Sequence, residues 1–167
     1  MNLPGLSGEE LYAWVERTSS NWRVLLTAHP EALEIPCDIR ADGTVTILLK
    51  HIVVVELLFA EWLSELPATP LDLSPSPSVE AIYQTHDKAM SLLRELSRHD
   101  DAWWREAVSF IMRSGKQIHG PRRVFAIHPL MHSIRHYAQL ATLIRQHGIE
   151  PGWQMDYIGM IMPSTKA

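Results

Sequence analysis

Three histidines of the chain have the type and spacing of metal ligands. His132 and His136 lie four residues apart in a segment with helical periodicity, so their side chains lie one turn apart on one face. A third donor must then come from another helix. His51 fits this role because it belongs to an apolar stripe and is expected to point inward. That stripe consists of Leu48, His51, Val55, Leu58 and Trp62. Three neutral imidazoles leave coordination positions open for water or a substrate.

The same histidines have a second interpretation, as core residues that hydrogen-bond to backbone or to a carboxylate. The pair at ligand spacing, together with an inward His51, favours the metal interpretation. A zinc protease of the zincin type is not expected, because the residue after His132 is Ser133 and not the glutamate base of that motif. Since imidazoles suit several metals, we expect one divalent transition metal ion, zinc, nickel or iron.

Three further residues near these ligands carry chemistry. His128 precedes Pro129, a full turn before His132, and is interpreted as a residue that lines a pocket or packs. Glu56 and Arg135 are isolated charges inside apolar runs. Each can reach solvent at a helix edge, or Arg135 can pair with Glu56 and thereby steer a histidine or bind an anionic substrate. The sequence leaves these alternatives open. Weak candidates for lining the pocket are Trp14, His128 and Tyr137.

Four long helices are needed to position these residues. Ser7 and Glu10 have the spacing of a capping box at the start of the first helix. Several prolines between residues 67 and 77 separate the second and third helices. The segment 99–121 is too apolar for a free loop, and we expect a packed excursion with a short helix or strand pair. The helices are predicted at residues 8–28, 45–66, 79–98 and 123–147. This pattern predicts an all-α four-helix bundle, with residues 1–167 as a single domain.

Composition excludes several classes of protein. Hydrophobic residues make up 46% of the 167 residues, a value typical of a globular protein, and the net charge of −4 gives no general attraction to nucleic acid or anionic membranes. The single cysteine, Cys37, rules out an internal disulfide and indicates a reducing compartment. The most apolar stretch, residues 52–63, is shorter than a membrane span. The first residues lack the features of a signal peptide, so we expect a cytoplasmic protein.

Two segments resemble the second and last helices of the DinB-like (YfiT-like) superfamily. The first is KHIVVVEL at residues 50–57 with EWL at 61–63, and the second is HPLMHSIRHYAQL at residues 128–140 with TLIRQHG at 142–148. The family's metal triad has one histidine in the second helix and two, four apart, in the last helix. These positions fall on His51, His132 and His136. The chain departs from the family where Tyr137 and Ala138 replace the usual Arg-Gly after the last ligand.

The resemblance implies a metal-dependent enzyme scaffold that acts on a small-molecule substrate. Characterised relatives include transferases and isomerases that use low-molecular-weight thiols, and an open metal position can equally activate water for hydrolysis. Relatives often form dimers, so a homodimer is a further expectation. The alternative is a non-catalytic stress-related or ligand-binding module whose metal is structural or absent. All three ligand positions of the family are occupied by histidine in this chain, which favours the enzyme over the non-catalytic module.

Overall fold

The computed structural model describes residues 5–39, 43–70, 78–112 and 114–162, with the side chain of Ile161 excepted. In chain order the elements are α1 (Gly8–Ala28), a 3₁₀ turn (Pro30–Glu34), α2 (Val45–Leu63), α3 (Val79–Leu96), α4 (Asp101–Arg105), β1 (Ala107–Ile111), β2 (Gln117–Pro121), α5 (Arg122–Gln146) and α6 (Tyr157–Ile161). The four long helices confirm the predicted all-α bundle, and their ends differ from the predicted ones by three residues at most.

The long helices form a closed ring of neighbours. α2 packs against both α3 and α5, and α1 packs against the same two helices from the other side. α1 and α3 each bury residues at helical spacing. These buried residues are Leu11, Val15, Thr18, Trp22 and Leu26 of α1, and Ile82, His86, Ala89, Leu93 and Leu96 of α3. On another side of this ring, α2 and α5 are in direct contact, and these are the two helices that carry His51, His132 and His136.

The inward face predicted for α2 is wrong in part. Of the predicted stripe, Leu48 is buried, whereas His51, Val55, Leu58 and Trp62 are only half-buried. The residues that α2 buries most completely include Val45, Leu49, Ile52, Val53, Glu56, Ala60 and Leu63. The physical reason is that α2 is apolar around most of its circumference and packs on two helices, so periodicity does not define one face. The predicted stripe borders the core instead of forming its centre.

The segment between α3 and α5 is the packed excursion expected from its apolar residues. It contains both a short helix, α4, and an antiparallel hairpin in which Ser109 pairs with His119 across β1 and β2. Phe110 of β1 stacks on Trp62 of α2, with ring centroids 5.1 Å apart. The hairpin thus covers the end of α2 that follows His51.

Local signals account for several helix ends. Ser7 and Glu10 form the predicted capping box, with the Glu10 amide donating to Ser7 Oγ and the Ser7 amide donating to the Glu10 carboxylate. Gly148, with φ of 79°, follows the end of α5. Part of the proline-containing linker, residues 71–77, lies outside the described residues. None of the described helices is long and apolar enough to cross a membrane.

Candidate metal centre

His51, His132 and His136 come together between α2 and α5. One ring nitrogen from each lies within 4.8 Å of the others. Nε2 of His132 lies 3.0 Å from Nε2 of His51 and 3.2 Å from Nε2 of His136. The i, i+4 spacing on α5 brings the latter pair together, and the contact between α2 and α5 supplies His51. The structure thus assembles all three histidines that the sequence singled out.

Hydrogen bonding among the rings does not account for this arrangement. A neutral imidazole Nε2 carries either one proton or one lone pair, so that of His132 can satisfy only one of its two contacts. On a tetrahedral ion with bonds of about 2.0–2.1 Å, two ligand nitrogens lie roughly 3.3–3.4 Å apart. The observed separations of 3.0 and 3.2 Å are close to this value. The donor set therefore fits a divalent transition metal ion.

The cluster is partly exposed, and its surroundings disfavour a proton on His132. His136 is buried with 5% of its surface exposed, whereas His51 and His132 are half-buried. Burial, the two other histidines, Arg135 and His128 together lower the pKa of His132 to about 3. His132 is therefore unprotonated at neutral pH, which is the state that binds a metal ion. The partial exposure of two ligands leaves one side of the cluster accessible to a small molecule.

An aromatic wall and a cation border this accessible side. The ring of His128 lies 5.9 Å from that of His132 and 5.0 Å from that of Phe59, measured between centroids. Burial, with the charge of Arg135, lowers the pKa of His128. Nη2 of Arg135 lies 3.1 Å from Nε2 of His136. Of the residues suggested for a pocket, His128 is therefore next to the cluster, as the sequence predicted.

Two other pocket candidates are wrong. Tyr137 is fully buried, and its hydroxyl contacts the Ser19 and Tyr83 hydroxyls in the core because its position on α5 faces α1 and α3. Trp14 donates its indole N–H to the Met155 carbonyl and packs against Tyr157, with ring centroids 5.4 Å apart. Both contacts lie on the α1 side of the bundle. The residues after α5 thus pack over α1.

Of the alternatives left open for the two isolated charges, exposure to solvent holds for Arg135, whereas Glu56 neither reaches solvent nor pairs with Arg135. Glu56 is fully buried, with Oε2 2.7 Å from Nδ1 of His86 and Oε1 2.6 Å from Oγ of Ser133. Ser133 Oγ also lies 2.9 Å from the Pro129 carbonyl, so its single proton serves one of the two acceptors. Glu56 turns away from Arg135 because its side of α2 faces α3, where His86 supplies a partner. His86 thus takes part in a buried contact with Glu56 that no local sequence pattern indicated.

A comparison with protein families agrees with this geometry. The sequence model of the DinB family matches residues 1–164, nearly the whole chain. The chain belongs to the DinB family. No curated protein matches the chain. Family membership and the three-histidine cluster together are compatible with a metal-dependent DinB protein, and the cluster could hold a metal ion in this fold.

Proposed function

We propose that this DinB protein binds one divalent transition metal ion, zinc, nickel or iron, through His51, His132 and His136. We further propose that it uses the ion to react a low-molecular-weight thiol or water with a small electrophilic substrate. The observation that carries this proposal is the convergence of three ring nitrogens within 4.8 Å, with two of the three rings half-buried. Three protein ligands and an accessible side are the features of a reactive metal site, whereas structural sites are closed by four ligands.

The residues of the chain would position the ion, and the ion would activate the nucleophile. The two ligands on α5 are one turn apart on a continuous helix, and the interface with α2 fixes the third. When bound, the ion would lower the pKa of a thiol or water molecule and so make it nucleophilic at neutral pH. The rings of Phe59 and His128 would border the reacting groups on one side.

An activity assay with a ligand variant tests this proposal. Untagged protein would be loaded with zinc, and the addition of cysteine or 2-mercaptoethanol to 1-chloro-2,4-dinitrobenzene would be followed beside the hydrolysis of p-nitrophenyl acetate. We expect a zinc-dependent rate in at least one assay that scales with metal occupancy. His51→Ala should reduce that rate by about tenfold or more, because it removes one of three ligands. Its circular dichroism should match wild type, since a chain of this size has core enough without the ion.

The control is His147→Ala, which removes an exposed histidine just beyond the end of α5 and should leave the rate unchanged. Rates at background level in the fully loaded wild-type protein would contradict the enzymatic proposal. That result, with zinc still bound, would identify a non-catalytic binding module. Equal rates for wild type and His51→Ala would show that the activity arises elsewhere.

A further inference from the structure

Arg135 lies at the accessible edge of the histidine cluster. It is three residues after His132 and seven after His128, so all three side chains project from the same side of α5. Its guanidinium turns towards the cluster, with Nη2 3.1 Å from Nε2 of His136. The side chain is nevertheless exposed. A positive charge is therefore held beside the nitrogens that would bind the metal, in a position that solutes can reach.

Arg135 has no anionic partner among the described residues. Glu56, the carboxylate considered as a partner for Arg135, bonds to His86 and Ser133 instead. No other described carboxylate makes an ion pair with Arg135, whereas Arg23, Arg94, Arg98, Arg105 and Arg122 all have one. A guanidinium has five N–H donors, and the His136 Nε2 lone pair that one of them contacts would be taken by a bound ion, which releases that donor as well. Donors thus remain for a ligand that approaches the cluster.

A guanidinium next to a divalent cation is electrostatically unfavourable unless an anion lies between them. Because the described residues offer Arg135 no carboxylate, an anionic ligand at the cluster would supply this charge. We propose that Arg135 binds an anionic oxygen group, a carboxylate or a phosphate, on the molecule that reacts at the histidine cluster. This inference rests on the proposed function and narrows its substrate class to small acidic molecules. The planar, fork-shaped arrangement of guanidinium donors matches both oxygen groups.

The test compares a charged thiol with a neutral one in cobalt(II)-loaded, untagged protein. The protein is titrated with 3-mercaptopropionate and with 2-mercaptoethanol, and binding is read from the thiolate-to-cobalt absorption band. Arg135→Gln should weaken binding of 3-mercaptopropionate by about fivefold and leave that of 2-mercaptoethanol unchanged, as expected for one partly exposed charge-assisted contact. Because each thiol is compared across variants, differences in the thiols' own acidity cancel.

Arg145→Gln is the matched control. Arg145 is also exposed and lies on α5, ten residues or about 15 Å further along the helix, so the variant loses the same charge away from the cluster. It should bind both thiols as wild type does. An equal loss in the two variants would overturn the inference, because it would indicate a general effect of net charge. An unchanged affinity for 3-mercaptopropionate in Arg135→Gln would also overturn it.

Acetate and inorganic phosphate, followed by their effect on the visible cobalt spectrum, separate this inference from the proposed thiol chemistry. The anion whose affinity falls more in Arg135→Gln than in Arg145→Gln identifies the oxygen group. If neither thiol binds but one of these anions shows that dependence, the thiol reaction fails and the role of Arg135 stands. If wild-type protein binds none of the anionic probes, or takes up no cobalt, the inference is overturned.

Discussion

Glu56 and His86 form a buried charged pair that joins α2 to α3. Glu56 is fully buried and His86 is 4% exposed, so water does not screen their contact. Burial opposes the charge on His86, but the charge of Glu56 and the hydrogen bond to it prevail and raise the pKa of His86. Ser133 attaches α5 to the same carboxylate. Because Ser133 directly follows His132 in the chain, this polar layer lies next to the histidine cluster.

Removing the charge of Glu56 should destabilise the protein. Glu56→Gln keeps the shape of the side chain but leaves a buried histidine without its anion, and we expect a loss of about 3 kcal/mol in unfolding free energy, measured by urea denaturation. The raised pKa of His86 means that the pair's contribution is complete below the ordinary histidine pKa and declines as the pH rises through the raised value. The difference from wild type should therefore be larger at pH 6 than at pH 9.

Glu95→Gln provides the comparison, because Glu95 forms an exposed i, i+3 pair with Arg98 and should contribute less than about 0.5 kcal/mol. A loss below about 1 kcal/mol in Glu56→Gln, or a loss that grows with pH, would contradict the charged pair.

The N-cap residues of α1 and α2 differ in whether their hydroxyls make a capping hydrogen bond. Ser7 accepts a hydrogen bond from the Glu10 amide, whereas the Thr44 hydroxyl makes no capping bond. Ser7→Ala should therefore reduce the unfolding free energy by about 1 kcal/mol, and Thr44→Ala by less than half of that, in the same urea experiment. Equal losses would show that the hydroxyl of Ser7 does not stabilise α1 through its cap.

The helices α2 and α5 differ in how much of the candidate site could be predicted from their sequences. His132 and His136 are related by a local rule, because a four-residue separation on a helix always places two side chains on one face. The capping box follows from an equally local pattern. The environment of Glu56 could not be predicted in this way, since it depends on the rotation of α2 about its axis. α2 is apolar on most sides, so its periodicity did not define which side faces α3.

In the whole molecule, the histidine cluster and the C-terminal residues lie on different sides of the bundle. The cluster lies between α2 and α5, whereas Trp153 packs edge-to-face on Trp22 of α1, with centroids 5.3 Å apart. No local pattern predicts where these aromatics pack, because that depends on how the chain returns after Gly148. The contact between His51 and α5 is likewise not set by a local pattern, since it depends on which helices are neighbours in the bundle.

We propose that His51, His132 and His136 together bind one metal ion. Calorimetric titration of metal-free, untagged protein with zinc at neutral pH measures this binding. Wild type and the control His147→Ala should each bind one equivalent with the same affinity. His132→Ala should lose at least about a hundredfold in affinity, because it removes one of only three ligands. Undiminished zinc affinity in His132→Ala, or no binding by wild type, would contradict the three-histidine centre.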